Sequence, residues 1–257
     1  PSKPPSPSKR DWHPDLNPTQ MELFESPAKF LLAYGEKGSG KTMGLLFKLV
    51  RHCYENQNAL AMIVSPSIRT GKEGVLHDLE SLVLPRWSEG MGLEFTTAKM
   101  DPNTKDRHLW IGNRFNGWSK VLLVSIPYAE AVEPRIKGIS PSFIYVDELT
   151  NCNGREYFIY PAAQLNRRSN IRGRQQYTAS CNPEGPSNWV YRLFFEDVLD
   201  EETGEPDPDF GVFHVPISEN THRLPETYLK SLQQILKNDP VEQRRLILGE
   251  WVDRPSG

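Results

Sequence analysis

The residues best suited to chemistry lie in Gly35-Glu36-Lys37-Gly38-Ser39-Gly40-Lys41-Thr42, which fits the spacing G-x-x-x-x-G-K-[ST]. Such a run does polyphosphate chemistry. Gly35, Gly38 and Gly40 let the backbone curl until its N–H groups converge on an anion, and a helix starting near Lys41 adds the positive end of its dipole. Lys41 is placed to reach the β- and γ-phosphates of a nucleotide, and the Thr42 hydroxyl to ligate Mg²⁺. A second pair, Asp147-Glu148, follows the apolar run Phe143-Ile144-Tyr145-Val146. Two acids after a strand usually mark a surface turn, but downstream of a phosphate loop they supply what the loop lacks. Asp147 would hold the Mg²⁺ shell through water, and Glu148 would orient or deprotonate the attacking water.

Two further groups bear on the same chemistry. Ser180 and Asn182 stand where the expected strand Gln176 to Cys181 ends, placed to sense a γ-phosphate or simply to begin an Asn-Pro turn. Arg155, Arg167, Arg168, Arg172 and Arg174 form the densest basic cluster, either a solvated face or a contact to DNA phosphates or to a neighbouring subunit's nucleotide.

The elements that must position these groups read as alternating strands and helices. Phe30 to Tyr34 is a short buried strand entering the loop, and Met43 to Tyr54 carries apolar residues at helical spacing. Ala59 to Val64, Val121 to Val124 and Phe143 to Val146 are continuous apolar runs of the kind that parallel strands show when both faces are covered, and Gln176 to Cys181 reads as a fourth central strand. Short segments around Leu109 to Ile111 and Phe115 to Trp118 predict a hairpin at the sheet edge. Gly74 to Leu84, Asn188 to Asp197, Pro225 to Leu236 and Val241 to Leu248 read as helices. Glu201 to Asp209 reads as an acidic loop and Gly211 to Val215 as a last strand. A helix is also expected from about Pro18 to Phe24, with Gln20 just upstream of the loop. The pattern predicts a three-layer α/β domain with a mainly parallel sheet and one strand lying between the loop strand and the acidic strand. The expected organisation is a mobile Pro/Ser-rich arm over 1–15, an ATPase core over 16–210 and a small lid over 211–257.

Composition narrows the class. A chain of 257 residues, 37% hydrophobic, with a net charge of −3, can bury a large core and has no global basic signature. Contact with nucleic acid must then come from local patches. Three scattered cysteines, outside any C-x-x-C spacing, favour a reducing cytoplasm over a disulfide framework or zinc site. No apolar run approaches the roughly 18 residues of a membrane span.

The order of Pro18-Thr19-Gln20, Gly35 to Thr42, Ile144-Tyr145-Val146-Asp147-Glu148, Ser180-Cys181-Asn182-Pro183-Glu184-Gly185-Pro186 and Leu248-Gly249-Glu250-Trp251 resembles the ATPase half of a tailed-bacteriophage large terminase. The resemblance implies an ASCE-type P-loop NTPase that uses ATP and Mg²⁺ to drive double-stranded DNA into a procapsid. It implies a homo-oligomeric ring, pentameric in the family, that meets a portal protein and a small terminase subunit in the host cytoplasm, with no membrane. It assigns adenine contact to Gln20 and nucleotide contact to the loop from Gly35 through Glu36, Lys37, Gly38, Ser39, Gly40 and Lys41 to Thr42. Metal is assigned to Thr42 and Asp147, catalysis to Lys41 and Glu148, and coupling of hydrolysis to movement to Thr178, Ser180 and Asn182. Lys37 stands where many relatives carry Arg, which weakens bidentate phosphate contact there. A residue acting across the ring is expected at Arg135 or Lys137, with Arg135 the better-suited donor. The family continues into a nuclease domain after the Leu-Gly-Glu-Trp region, so DNA cleavage is not expected of this stretch.

Two other readings share the motifs. A helicase- or recombinase-type ATPase would separate strands rather than package DNA. A nucleotide-gated binding switch is disfavoured by the lack of an Asn-Lys-x-Asp guanine motif and by Glu148 directly after Asp147.

Overall fold

The structure, a computed structural model, describes residues 13–254 apart from 68, 70, 166, 169, 170, 201 and 202. Most of the expected arm over 1–15 and part of the acidic loop therefore lie outside the described residues.

Eight strands make one sheet: β1 (Phe30–Tyr34), β2 (Leu60–Ser65), β3 (Lys99–Met100), β4 (Arg107–Gly112), β5 (Trp118–Ser125), β6 (Phe143–Val146), β7 (Gln176–Cys181) and β8 (Phe210–His214). Their order is β3-β4-β5-β2-β6-β7-β1-β8, antiparallel from β3 to β5 and parallel from β5 onward. As the apolar runs predict, β7 lies between the loop strand β1 and the acidic strand β6.

The continuous apolar runs follow from covering both faces of this sheet. Successive residues point to opposite sides, so Leu31, Ala33, Ala61, Ile63, Phe143 and Tyr145 join one core, and Leu32, Met62, Val64, Ile144 and Val146 join the other. The first core is closed by α1 (Pro18–Glu25), α2 (Lys41–Glu55), a helical stretch over residues 71–83 and α3 (Leu84–Met91). The second is closed by α4 (Val132–Ile136), α5 (Glu156–Gln164) and α6 (Trp189–Tyr191) with the turn of π-helix after it. Two short helices, α7 (Tyr228–Ile235) and α8 (Pro240–Leu246), follow β8.

Three expectations are corrected. Of the segment Phe115 to Trp118 only Trp118 is extended, and it opens the same strand, β5, that carries Val121 to Val124; Asn113 to Gly117 form the turn from β4. The helix expected over Gly74 to Leu84 is two π-helical stretches, Gly71–Leu76 and Leu79–Val83, and a regular helix restarts at Leu84, where Pro85 suits a first turn because it needs no N–H donor there. The boundary at Gly211 falls inside β8, which pairs with β1 from Phe30↔Phe210 to Tyr34↔His214, so the sheet continues through His214 and the segment outside it starts later.

The chain's end is tied back to the site. Trp251 packs on Tyr34, Tyr191 and Phe195, and the loop Asn182 to Pro186 is held by Arg245 Nε donating to the Pro183 carbonyl and by Val252 N–H donating to that of Glu184. The three cysteines are buried and free.

Candidate active site

The phosphate loop bridges the carboxyl end of β1 and the start of α2. Gly40 caps α2 in the left-handed region, at φ 87°, and a β-carbon there would overlap the Gln20 amide. Gly35 lies so close to the Val215 carbonyl that no side chain fits. These positions require glycine for backbone shape and for close approach.

Lys41 is buried, and its ammonium contacts the carbonyls of Glu36 at 2.7 Å and Gly35 at 3.1 Å, Asn182 Oδ1 at 3.2 Å and Ser39 Oγ at 3.3 Å. Burial lowers its pKa to about 8, with Cys181, Glu36 and Asp147 opposing that shift. Glu36 does not face the phosphate side. Its buried carboxylate accepts from the Ile217 N–H at 3.2 Å and lies 3.5 Å from His214 Nε2, tying the loop to the chain beyond β8.

At the end of β6, Asp147 Oδ1 accepts from the Tyr145 hydroxyl at 2.8 Å and from Ser180 Oγ at 3.0 Å. Burial raises its pKa, and the hydrogen bond from Tyr145 opposes that rise. Glu148 adopts a left-handed backbone, φ 51° and ψ 51°, rare for a side chain of this type, and its carboxylate accepts from Asn151 Nδ2 at 2.8 Å. From this turn Glu148 lines the cleft.

One cavity of about 310 Å³ gathers these groups, lined by Lys37, Gly38, Gly40, Lys41, Thr42, Asp147, Glu148, Ser180 and Asn182. The loop and the acidic pair, over a hundred residues apart, face each other across it. Thr178 is one step beneath, its hydroxyl donating to the Ile144 carbonyl at 2.8 Å. Arg135 and Lys137 do not line it: Arg135 pairs with Asp106, and Lys137 is exposed just past α4. Gln20 is also turned away. It is fully buried, its Nε2 donating to the Gly40 carbonyl at 2.9 Å and its Oε1 accepting from the Asn17 N–H at 2.9 Å, so its amide braces the loop and presents no edge to a base. Within the basic cluster, Arg155 pairs with Asp197, and Arg174 lies beside Lys48 in a separate cleft with Arg51.

Four residues at this site are not signalled by the sequence. Asn220 lines the cavity, donating from Nδ2 to the Gly38 carbonyl at 2.7 Å, and the Tyr228 hydroxyl donates to the Lys37 carbonyl at 3.3 Å. Asp78, between the two π-helical stretches, is a further acid on the cavity wall. Tyr145 reads as ordinary core, yet its hydroxyl meets Asp147.

The donor set fits a magnesium nucleotide. No group of three or more metal-binding His, Cys, Asp or Glu exists among the described residues, but Mg²⁺ needs only one or two carboxylates because it keeps waters and phosphate oxygens as its other ligands. Asp147 and Thr42 offer that.

Sheet order, glycine loop and acidic strand end together define an ASCE-type P-loop NTPase domain. The chain matches the family described as terminase large subunit, T4likevirus-type, N-terminal, over residues 33–257, and it belongs to that family. Among solved structures it is similar to the large terminase of a thermophilic bacteriophage in complex with ADP, with a TM-score of 0.65 and 19% identity over 92% of this chain and 53% of that one. The same terminase in complex with ATP-gamma-S gives a TM-score of 0.66 and 18% identity over the same shares. The large terminase ATPase domain of Thermus phage P74-26 gives 0.65 and 18%, over 94% of this chain and 95% of that one. The chain thus spans about half the length of the first of these terminases. No curated protein matches by sequence. No helix among the described residues is long and apolar enough to cross a membrane.

Proposed function

We propose that this chain is the ATP-hydrolysing motor domain of a terminase, coupling Mg²⁺-dependent ATP hydrolysis to movement of double-stranded DNA into a procapsid. The observation that carries this reading is the shared cavity of Lys41 and Asp147. ATP enters with its phosphates along Gly38 to Thr42, where backbone N–H groups and the start of α2 receive negative charge. Lys41 exchanges its loop carbonyls for phosphate oxygens. Thr42 and Asp147 would hold Mg²⁺, directly or through water, and it would supply positive charge to the phosphates. Glu148, aimed by its left-handed turn and by Asn151, takes the proton of the water that attacks the γ-phosphorus as the bond to the β-phosphate oxygen breaks. Asn182, already on Lys41, carries the change at the γ-position into β7 and its following loop. Arg135, half-exposed and outside its own cavity, supplies positive charge to the next copy in a ring, which also meets the portal and the small subunit.

Nucleotide binding and steady-state hydrolysis test this. Lys41→Ala should abolish tight ATP binding, whereas Glu148→Gln should bind ATP and lose about 10²- to 10⁴-fold in turnover. Turnover of Glu148→Gln within a few-fold of the parent would sink the assignment of the base.

A further inference from the structure

Three oxygens beneath the cavity lie within hydrogen-bonding distance of one another. The Tyr145 hydroxyl is 2.8 Å from Asp147 Oδ1, Ser180 Oγ is 3.0 Å from the same oxygen, and the two hydroxyls are 2.9 Å apart. The strand register produces this cluster. Tyr145 and Asp147 are two apart on β6 and so share a face, and Val146↔Ala179 brings Ser180 level with Asp147 on the neighbouring strand.

A hydroxyl is not needed here for packing. Phe143, on the same strand and the same core face, is equally buried with a bare ring. A buried phenol costs stability unless its oxygen is used, and the Tyr145 hydroxyl donates to Asp147 Oδ1. The two hydroxyls bring one proton each to these three contacts. Either both point at Oδ1, or one hydroxyl serves the carboxylate and the other serves its neighbour.

We propose that Tyr145 is a positioning residue for the metal. With Ser180 it pins Oδ1 of Asp147, so that Oδ2 is presented to a divalent cation held between Asp147 and Thr42. The same hydroxyl contacts Asp147 at the end of β6 and Ser180 on β7, so it links the orientation of the metal-holding carboxylate to Ser180 and, two residues on, to Asn182 and its bond to Lys41. This inference rests on the magnesium-nucleotide reading above.

The test is ADP binding by calorimetry to the full chain, with excess MgCl₂ and again with EDTA, for the parent, Tyr145→Phe and Ser180→Ala. The readout is the factor by which Mg²⁺ tightens ADP. Tyr145→Phe should cut that factor about tenfold and leave binding in EDTA unchanged, as expected when the support of a metal ligand is lost. Ser180→Ala should move it the same way by less, and the double variant should fall short of the combined effects because the two donors share one oxygen. A purely structural role predicts that binding in EDTA and in Mg²⁺ weaken together, and that result overturns the proposal. So does a tightening factor equal to the parent's in both single variants. If Tyr145→Phe does not melt cooperatively, Ser180→Ala decides alone by the same factor. A parent chain that binds ADP without any tightening by Mg²⁺ removes the metal site, and this inference with it.

Discussion

Gln20→Ala separates a reader of the base from a brace of the loop. In the structure the amide is fully buried, donating to the Gly40 carbonyl and accepting from the Asn17 N–H, while Arg223 approaches Oε1 at 3.4 Å. Truncation leaves the buried Asn17 N–H without its acceptor, worth about 1–3 kcal/mol, and removes one of two bonds to the Gly40 carbonyl, which keeps the Gly44 N–H, worth about 1 kcal/mol. Arg223 keeps other partners, Asn17 Oδ1 and the Asp15 carbonyl, and some water can enter, so the sum is about 3 kcal/mol. For a chain of this size that lowers the melting temperature by roughly 6–12 °C. Thermal melting combined with competitive binding of ADP and GDP reads both consequences. The brace predicts a lower melting temperature and a parallel weakening for the two nucleotides, because both use the same loop. An unchanged melting temperature with selective loss of ADP over GDP would refute this reasoning and restore Gln20 as the adenine contact.

Other consequences are equally direct. Arg135→Ala should reduce turnover about 10³- to 10⁵-fold with ADP binding intact. Mixing it with Lys41→Ala chains should restore hydrolysis, since each supplies what the other lacks, and no recovery on mixing would argue against action between copies. Lys48 is buried with its ammonium on the Phe24 and Ser26 carbonyls. Burial, reinforced by Arg51 and Arg174 against the opposing Glu25 and Glu55, lowers its pKa from 10.5 to about 7. The folded chain therefore sheds this proton first. Its contribution to stability is fully present above pH 10.5 and is lost as pH falls towards 7, with a slope of up to about 1.4 kcal/mol per pH unit. Urea midpoints at neutral and alkaline pH should show that rise in the parent and a flatter response in Lys48→Met. Equal slopes would remove Lys48 as its source.

The parts of the site carried by short stretches were readable. The glycine spacing, the apolar strands and the acids at the end of β6 are local patterns, and the sheet joins them as their chemistry demands. Residues brought in by long-range folding were not. Asn220 and Tyr228 reach the loop from 182 and 191 positions away, each through a single bond to a backbone carbonyl, which leaves no mark on local composition. Tyr145 was masked by its apolar neighbours, for a buried strand tolerates Tyr and Phe alike until the oxygen's surroundings are known. The left-handed turn at Glu148 was hidden because glutamate has no preference for positive φ. Gln20 lies next to the loop as expected, but which way its amide points depends on Asn17 and Gly40 together.

The ammonium of Lys41 has three protons and four oxygens already around it. An incoming phosphate must displace protein oxygens that satisfy the same cation, so part of the gross attraction is cancelled and grip on the nucleotide is moderated. Under the proposed hydrolysis, those oxygens would recapture the lysine once the spent nucleotide loosens and close the gap behind it. A cyclic machine benefits from a seat that closes over itself, because the exit of product then needs no outside push.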